Sequence, residues 1–400
     1  MSSYRFVSSR RLAIAVLLFF VTWLSPSRAH AYAWMVKHGY TQCATCHADP
    51  GGGGLLNVYG RAQGEILMRT RYSPPDREPS RFAEPLFGAV PLPKGLDVSA
   101  QWRSAILGVF PSGGEAQGRF IVMQADALGQ YKLGRFRVNG SIGAVDEGAN
   151  GAAITRGADA KLISRVHWVG VDLGQNEDIL VRAGRMNLPF GLRSIEHTRF
   201  VRTETRTDTN ASQQYGASVD IARGRFRGGA MLILGNFAVS PDKFRSRGYA
   251  AFGEVALTPT LALGASSMIT NTIFDAELLT PSFRHAHGVF GRYSPTRSVV
   301  LAAEWDFLHT SQPTPGRTDF GGVGLLTVDV EPVQGLHFGP TTEIAMRDFD
   351  RPANVALWGS VWWFALPHVD FRFDAIFQSR DIPVGRAEAV SGIFQVHGYL

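Results

Sequence analysis

Cysteine is nearly absent from this sequence, which has only Cys43 and Cys46 among its 400 residues. Two thiols are too few for a structural zinc site of paired cysteines, because such a site needs four ligands and no second cluster follows at a suitable spacing. A redox dithiol of the thioredoxin kind would need a βαβ context, which the sequence does not provide. The residues around the two cysteines must therefore identify their purpose.

Long hydrophobic runs are also missing from most of the chain. After residue 31, no stretch approaches the ~20 apolar residues that a membrane-spanning helix needs. The chain is nevertheless 45% hydrophobic and contains 44 glycines, 26 phenylalanines and 8 tryptophans, with 18% charged residues. Any insertion into a membrane must therefore use strands, because only helices and closed β-barrels satisfy the backbone polar groups in lipid.

Lysine is scarce as well. Only five of the 40 basic residues are lysines, and the arginines that give the formal net charge of +6 are spread along the chain without a basic tail. A protein that follows a phosphate backbone usually carries clustered basic side chains interleaved with aromatic residues. We therefore expect no nucleic-acid partner.

The first 31 residues predict a secretory signal peptide. Three arginines at positions 5, 10 and 11 precede an apolar run of thirteen residues from Leu12 to Leu24, and the small-residue cleavage site Ala29-His30-Ala31 follows. The run is too short to span a bilayer as a helix, so a retained anchor is the weaker interpretation. We expect export, with cleavage after Ala31 or Ala33.

The two cysteines stand in the pentapeptide Cys43-Ala44-Thr45-Cys46-His47. This spacing predicts the covalent attachment of one haem c, because two thiols three positions apart lie on one turn and can meet both vinyl groups on one edge of the porphyrin. His47 is the expected metal-binding residue, as an axial ligand of the iron. A disulfide or another metal site is the alternative, but a disulfide gives no reason for a histidine to follow directly.

The sequence does not identify the second axial ligand of the iron. A helix is predicted from Asn57, a suitable N-cap, to about Arg71. Its apolar stripe, which could cover the haem, consists of Leu55, Tyr59, Ala62 and Ile66. The distal ligand candidates are Met68 near the end of this helix and His38 and Met35 before the motif, besides a barrel residue or an open position. The alternative for Met68 is an ordinary core methionine.

A proline-rich stretch separates the predicted haem segment, residues 32–72, from the rest of the chain. Residues 73–96 contain six prolines, at positions 74, 75, 79, 85, 91 and 93. This composition is typical of an extended tether, so we expect a linker between two domains.

From residue 97 to residue 400, segments of about 10 to 14 residues alternate apolar and polar side chains, as the strands of transmembrane barrels do. Sixteen such segments begin near Asp97, Arg119, Lys132, Lys161, Asp178, Gln213, Arg225, Arg247, Thr260, Phe283, Ser298, Phe320, Val333, Ala353, His368 and Glu388. The expected fold is an all-β transmembrane barrel of about sixteen antiparallel strands, preceded by a small α-helical cytochrome segment. A soluble β-sandwich or propeller would have shorter strands.

The predicted connections alternate in length along the chain. Seven are tight turns, and long polar loops are expected at residues 110–118, 146–159, 187–212, 237–246, 273–282, 309–318, 348–353 and 380–387. Sixteen strands require seven short and eight long connections when both ends of the barrel lie on the periplasmic side. We therefore expect a bacterial outer-membrane location, with lipid around the barrel and the haem segment in the periplasm or the lumen.

Two stretches near the haem motif carry a family resemblance. Gly39 to Pro50, which contains the motif, and Leu55 to Arg61 resemble the fused monohaem cytochrome-porins of the outer membrane, best known from iron-oxidising bacteria. The order of signal peptide, single haem motif, Gly60-Arg61 pair and barrel agrees with that family over nearly the whole chain. The resemblance implies electron transfer from an extracellular donor, typically ferrous iron, through the haem to a periplasmic acceptor.

Residues Ala183 to Arg193 are similar to the Gly-Arg-x-x-x-Pro-Phe-Gly segment of phosphate-selective and related porins. This similarity supports a barrel and not a phosphate substrate. The segment opens the loop that often folds into the lumen of sixteen-stranded porins. Basic residues that could form a lumen constriction, paired with haem propionates or anionic solutes, are Arg193, His197, Arg199, Arg202 and Arg206. A solvated external loop is the alternative.

Three functions are compatible with these features. The first is a conduit that passes single electrons between an extracellular donor or acceptor and a periplasmic cytochrome or other carrier. A conduit requires the haem segment, or another cytochrome, inside the lumen. The apolar band of such a barrel is ~25 Å tall, and a haem wholly beneath it cannot exchange electrons with the far side of the band. The alternatives are a diffusion porin with an accessory haem segment and a haem enzyme such as a peroxidase, whose distal acid–base residue the sequence does not identify. We expect an electron-transfer protein more than a conventional enzyme.

Overall fold

The computed structural model describes residues 33–70, 84–144, 162–196, 198–209, 211–275, 277–366 and 368–400. The predicted signal peptide, residues 73–83 of the predicted linker, the long loop expected at 146–159, Arg71 and His197 lie outside the described residues. Among the described residues, no helix is long and apolar enough to cross a membrane.

The chain from residue 96 onward forms a closed antiparallel β-barrel. Its strands are β1 (Leu96–Pro111), β2 (Gln117–Leu133), β3 (Phe136–Ala144), β4 (Leu162–Ile163), β5 (His167–Leu173), β6 (Ile179–Met186), β7 (Gln214–Arg223), β8 (Phe226–Gly235), β9 (Arg247–Thr258), β10 (Leu261–Asp275), β11 (Thr280–Thr296), β12 (Val299–Gln312), β13 (Arg317–Val333), β14 (Leu336–Phe338), β15 (Thr341–Met346), β16 (Asn354–Leu366), β17 (Val369–Ile382) and β18 (Gly385–Tyr399). Neighbours in sequence pair throughout, and β18 pairs with β1 to close the sheet.

Two of the barrel strands are interrupted. Both β4 and β5 pair with β3, and both β14 and β15 lie between β13 and β16. The eighteen segments therefore form sixteen barrel strands, which confirms the predicted fold class and strand number.

The barrel wall is apolar outside and polar inside, as β17 illustrates. Phe373 and Phe377 are 48% and 36% exposed on the outer surface, whereas Arg372 and Asp374 are only 6% and 1% exposed and face the lumen. A barrel in lipid needs this arrangement, because its outer surface contacts acyl chains and its inner surface contacts water or polar groups. The predicted alternation is confirmed here.

The seven tight turns lie at one end of the barrel, which we call the short-turn end; the first residue of β1 and the last residue of β18 also lie there. At the opposite end the predicted loops at 273–282, 309–318 and 380–387 are largely wrong. The strands continue, and only residues 276–279, 313–316 and 383–384 lie between them. Polar pairs such as Thr310 opposite Asp319 extend the ladder. Strand ends that leave the lipid need no apolar face, so their composition resembles that of a loop.

Before the barrel, residues 33–70 form a compact segment of short helical turns. These are Ala33–His38, Cys43–Thr45, the α-helix α1 (Val58–Gln63) and a wider helical turn at Gly64–Met68. The predicted N-cap is confirmed, because the Asn57 side chain accepts a hydrogen bond of 2.8 Å from the backbone of Gly60.

The predicted apolar stripe of this helix is wrong. Tyr59 is 40% exposed, and the buried residues of α1 are Gly60 and Arg61. The reason is close packing on the haem motif: a Cβ atom at Gly60 would lie 2.2 Å from the carbonyl oxygen of Cys46. The helix therefore presents its smallest residue, and not an apolar stripe, to the motif.

Candidate haem site and lumen

Residues 33–70, which we call the plug, lie inside the short-turn end of the barrel. Side chains on strands from opposite sides of the lumen hold it there. These contacts join Lys37 to Glu331 on β13, Arg61 to Asp97 on β1 at 3.0 Å, Asp49 to Arg182 on β6 at 3.1 Å, and the Gln42 amide to the carbonyl of Gly224 at 2.8 Å. Because the partners surround the segment, it occupies the lumen and does not hang beneath the barrel.

An apolar cluster fixes one side of the plug. Its buried members are Trp34, Met35, Val36 and Met68 from the plug with Val300 and Phe364 from the wall. The ring of Trp34 also lies 4.4 Å from that of His337. This cluster keeps water from the part of the plug that contains two of the three predicted distal ligands.

The haem-attachment motif forms a single tight turn. The backbone N–H groups of Cys46 and His47 both donate to the carbonyl of Cys43, at 3.1 and 3.0 Å. Both cysteine side chains are buried, and no disulfide joins them. The thiol groups are thus available on one turn, as covalent attachment of a haem requires.

His47 is buried next to the cysteines and is held by an antiparallel bridge to Leu56. Burial lowers the pKa of its imidazole to about 4, against the opposing charge of Asp49. The ring is therefore neutral at pH 7, and a neutral imidazole is the form that binds a metal.

These residues fit a covalently attached haem. Cys43 and Cys46 supply two reduced sulfurs, and His47 supplies a neutral ring nitrogen on the same turn. Among the described residues, no group of three or more histidine, cysteine, aspartate or glutamate side chains is arranged to bind a metal ion directly. Two cysteine sulfurs and one imidazole on a single turn are a donor set that suits a covalently attached porphyrin and its iron.

The structure places the distal candidates in different surroundings. Met35 and Met68 lie in the apolar cluster, whereas His47 adjoins a second cluster that contains Ala48, Leu55 and Leu128. His38 is partly buried, which lowers its pKa, and its ring lies 6.1 Å from that of Tyr40. None of these contacts favours one candidate over the others.

Above the plug, residues 187–213 fold into the middle of the barrel and include the short helix α2 (Phe200–Thr205). We call this segment the lumen loop. Arg202 and Glu304 form an ion pair of 2.8 Å in which neither side chain is exposed. The backbone N–H of Phe200 donates to Glu343 at 2.7 Å. The loop is thus anchored to two strands of the same side of the wall, β12 and β15.

Most of the predicted constriction residues are paired with carboxylates. Arg206 contacts Asp275 at 2.6 Å, and Arg199 lies 3.3 Å from Glu196. Arg193 differs, because its guanidinium lies 4.2 Å from the ring of Phe252 and near the plug. His197 lies outside the described residues.

Sequence reasoning missed the carboxylates and arginines that face the loop and the plug from the wall. Arg227 donates to the sulfur of Cys43 at 2.9 Å and to Glu254 at 2.7 Å, and Glu254 also pairs with Arg292. The sequence signal that could have found them is a charged residue at an inward-facing position of an alternating strand. That signal locates a residue on the inner wall but does not say which neighbour it faces.

A cavity of about 50 Å³ adjoins the lumen loop along one side of the barrel. Its lining includes Arg103, Glu196, Trp358, Arg372, Asp374 and His397. The lining is mixed in charge, and Arg372 is itself paired with Glu196 at 2.6 Å. The lumen is therefore not completely filled by the plug and the loop.

No family model matches this chain, and no curated protein sequence is similar to it. Solved structures are similar in fold. OmpT of Vibrio cholerae has a TM-score of 0.57 at 8% identity, covering 78% of this chain and 100% of that one. An anion-selective porin from Comamonas acidovorans has a TM-score of 0.57 at 9% identity, covering 76% of this chain and 99% of that one.

The outer-membrane channel DcaP of Acinetobacter baumannii gives a similar result, with a TM-score of 0.55 at 9% identity and coverage of 78% of this chain and 99% of that one. Sequence identities this low carry no information about substrate. The similarities establish the fold, which is that of a porin-like β-barrel.

Proposed function

We propose that this protein is an outer-membrane electron-transfer conduit. It would pass single electrons between an extracellular donor, such as ferrous iron, and a periplasmic cytochrome or other carrier through one covalent haem c. Cys43 and Cys46 would attach the haem, and His47 would bind its iron. The observation that carries the proposal is the position of the haem motif within the barrel lumen, among wall residues such as Arg227.

This position matters because the apolar band of such barrels is ~25 Å tall, and a haem beneath that band could not exchange electrons with a donor on its far side. A bound haem would supply a one-electron ferrous–ferric couple. The plug places the motif inside the wall, beside the apolar residues Ala48, Leu55 and Leu128, and a second apolar cluster around Trp34 excludes water from the adjoining part of the plug. The short-turn end of bacterial outer-membrane barrels faces the periplasm. A periplasmic carrier would therefore meet the plug directly, and the outer surface of the barrel would contact lipid.

The decisive experiment compares the full-length protein with a Cys43→Ala, Cys46→Ala variant in proteoliposomes. We expect a pyridine haemochrome assay to find one haem per chain in the natural sequence and none in the variant. Electron flux from external ferrous iron to an internal dye should also be absent in the variant. Ala44→Ser, which keeps the C-x-x-C-H spacing, is the matched control and should retain both. Equal flux with and without the cysteines would refute the conduit.

A diffusion porin with an accessory haem segment is the second candidate. The cavity beside the lumen loop, whose lining includes Arg103, Glu196 and Arg372, favours it because it shows that the plug and the loop do not fill the lumen completely. Solute conductance that is the same before and after deletion of residues 32–72, without electron flux across the membrane, would support this function over the conduit.

A further inference from the structure

Arg193 is a residue of the lumen loop that reaches the plug. Its backbone has a φ of 54°, in the left-handed region that residues other than glycine seldom adopt. Its guanidinium lies over Phe252, and its Nη1 atom would be 3.4 Å from a Cβ atom at Gly51 of the plug. The side chain therefore lies at the boundary between the two segments that fill the barrel.

The guanidinium of Arg193 has unused hydrogen-bond donors. Its Nε and Nη2 atoms are buried and donate to no described residue, although the residue as a whole keeps some accessible surface. The other arginines of this loop behave differently, since Arg202 and Arg206 each contact a carboxylate within 3 Å. A buried charged donor without a partner costs several kcal/mol, so a fold that keeps one has a reason to do so.

The surroundings have an excess of positive charge. Besides Arg193, three guanidiniums lie in this region, those of Arg182, Arg227 and Arg292, and the carboxylates that face them are Asp49, Asp220 and Glu254. Those carboxylates are already occupied, because Asp49 and Asp220 pair with Arg182, and Glu254 pairs with Arg227 and Arg292. Burial and the nearby charge of Arg227 lower the pKa of Arg193 to about 10. An anion at this point would restore the charge balance.

We propose that Arg193 binds a carboxylate at the boundary between the lumen loop and the plug. The carboxylate comes either from a propionate of the attached haem or from a solute in the lumen, since a guanidinium binds both in the same bidentate way. The first source rests on the proposed function, and the second does not. In either case Arg193 is a positioning residue that links the loop to the plug through a bound anion.

The first arm of the test measures the midpoint potential of the haem in the full-length protein. Arg193→Gln removes a positive charge beside a propionate, so the ferric form gains stability and the potential falls. A tenfold change in the reduction equilibrium would appear as about 59 mV for a one-electron couple. Arg193→Lys should retain most of the potential. Arg206→Gln is the matched control, because this arginine of the same loop is paired with Asp275, and it should leave the potential unchanged.

The second arm uses the haem-free Cys43→Ala, Cys46→Ala chain and sodium acetate as the probe. If a solute carboxylate is the ligand, acetate should raise the unfolding temperature at constant ionic strength, and Arg193→Gln should abolish that rise while Arg206→Gln does not. A shift in potential alone identifies the propionate, and an acetate effect identifies the solute. If neither arm responds to Arg193→Gln, the proposal is wrong. Absence of haem from the natural protein would refute the proposed conduit but leave the acetate arm decisive.

Discussion

The plug and the lumen loop are both held in the barrel by apolar packing and ion pairs, but they differ in how the wall matches their buried charged and titratable groups. Phe200 of the loop packs in one apolar cluster and Trp34 of the plug in another. Arg202 of the loop is matched by a carboxylate of the wall at 2.8 Å, whereas His47 of the plug is buried beside apolar residues. This difference distinguishes anchor residues, which hold the fold, from residues that form a ligand site. Where charges are matched, the residue holds the fold, and where a buried group such as His47 or Arg193 lacks a matching partner in the wall, a ligand site is the better explanation.

The largest expected effect comes from removing the plug altogether. Deletion of residues 33–70 should leave the barrel closed, because β1 pairs with β18 without help from the plug. We expect single-channel conductance in planar bilayers to rise several-fold, since a sixteen-stranded barrel otherwise leaves an aqueous channel. The Cys43→Ala variant, which keeps the plug but removes one thiol of the motif, is the control and should conduct as little as the intact chain. A deletion that leaves the conductance unchanged would mean that the plug does not obstruct the lumen.

A second prediction compares a matched arginine with an unmatched one in the haem-free chain. Arg202→Met should lower the free energy of unfolding by about 3–5 kcal/mol, because it leaves the buried charge of Glu304 without a cation and with only the backbone N–H of Leu192 as a donor. Arg193→Met should cause no loss of stability, because it removes an unpaired buried charge. Urea unfolding in micelles measures both, and the Arg202→Met, Glu304→Met double variant should recover part of the loss. Equal losses at the two positions would contradict the distinction between anchors and sites.

The smallest expected effect concerns the pH dependence of the loop. Burial works to raise the pKa of Glu196, but the charges of Arg199 and Arg372 outweigh it and lower the pKa to about 2 from the ordinary 4.5. A lowered pKa means that the anchoring is complete above pH 4.5 and is lost as the pH falls through about 2. Tryptophan fluorescence should report this loss, because Arg199 lies over Trp358. Glu196→Gln should flatten the profile between these pH values, and an unchanged profile would exclude Glu196 as the titrating group.

Much of the barrel could be predicted from the sequence. The predicted segment starts near Arg247, Thr260 and Ala353 fall within a residue of the observed strands, because alternation of period two and turn residues are local signals. The errors arose where the local signal is ambiguous. Strand ends beyond the lipid resemble loops, and the face of α1 that packs inward is set by Gly60 against the Cys46 carbonyl, which no periodicity reveals.

The candidate site was predictable only in part. The C-x-x-C-H spacing predicts Cys43, Cys46 and His47 as the haem site because that spacing is chemically specific, and the structure places the three residues on one buried turn. Arg202 pairs with Glu304, which lies 102 residues away in the sequence, whereas Arg227 pairs with Glu254 on the neighbouring strand. Sequence spacing gives no information about which inward side chains meet across a lumen.

The sequence by itself determined that this chain makes a sixteen-stranded barrel and bears a haem-attachment motif, because alternation and motif spacing are properties of neighbouring residues. Only the tertiary structure decided that the motif lies inside the lumen, that Arg202 is an anchor and that Arg193 faces the plug. Those facts depend on which distant side chains closure of the barrel brings together, and closure is a property of the whole sheet.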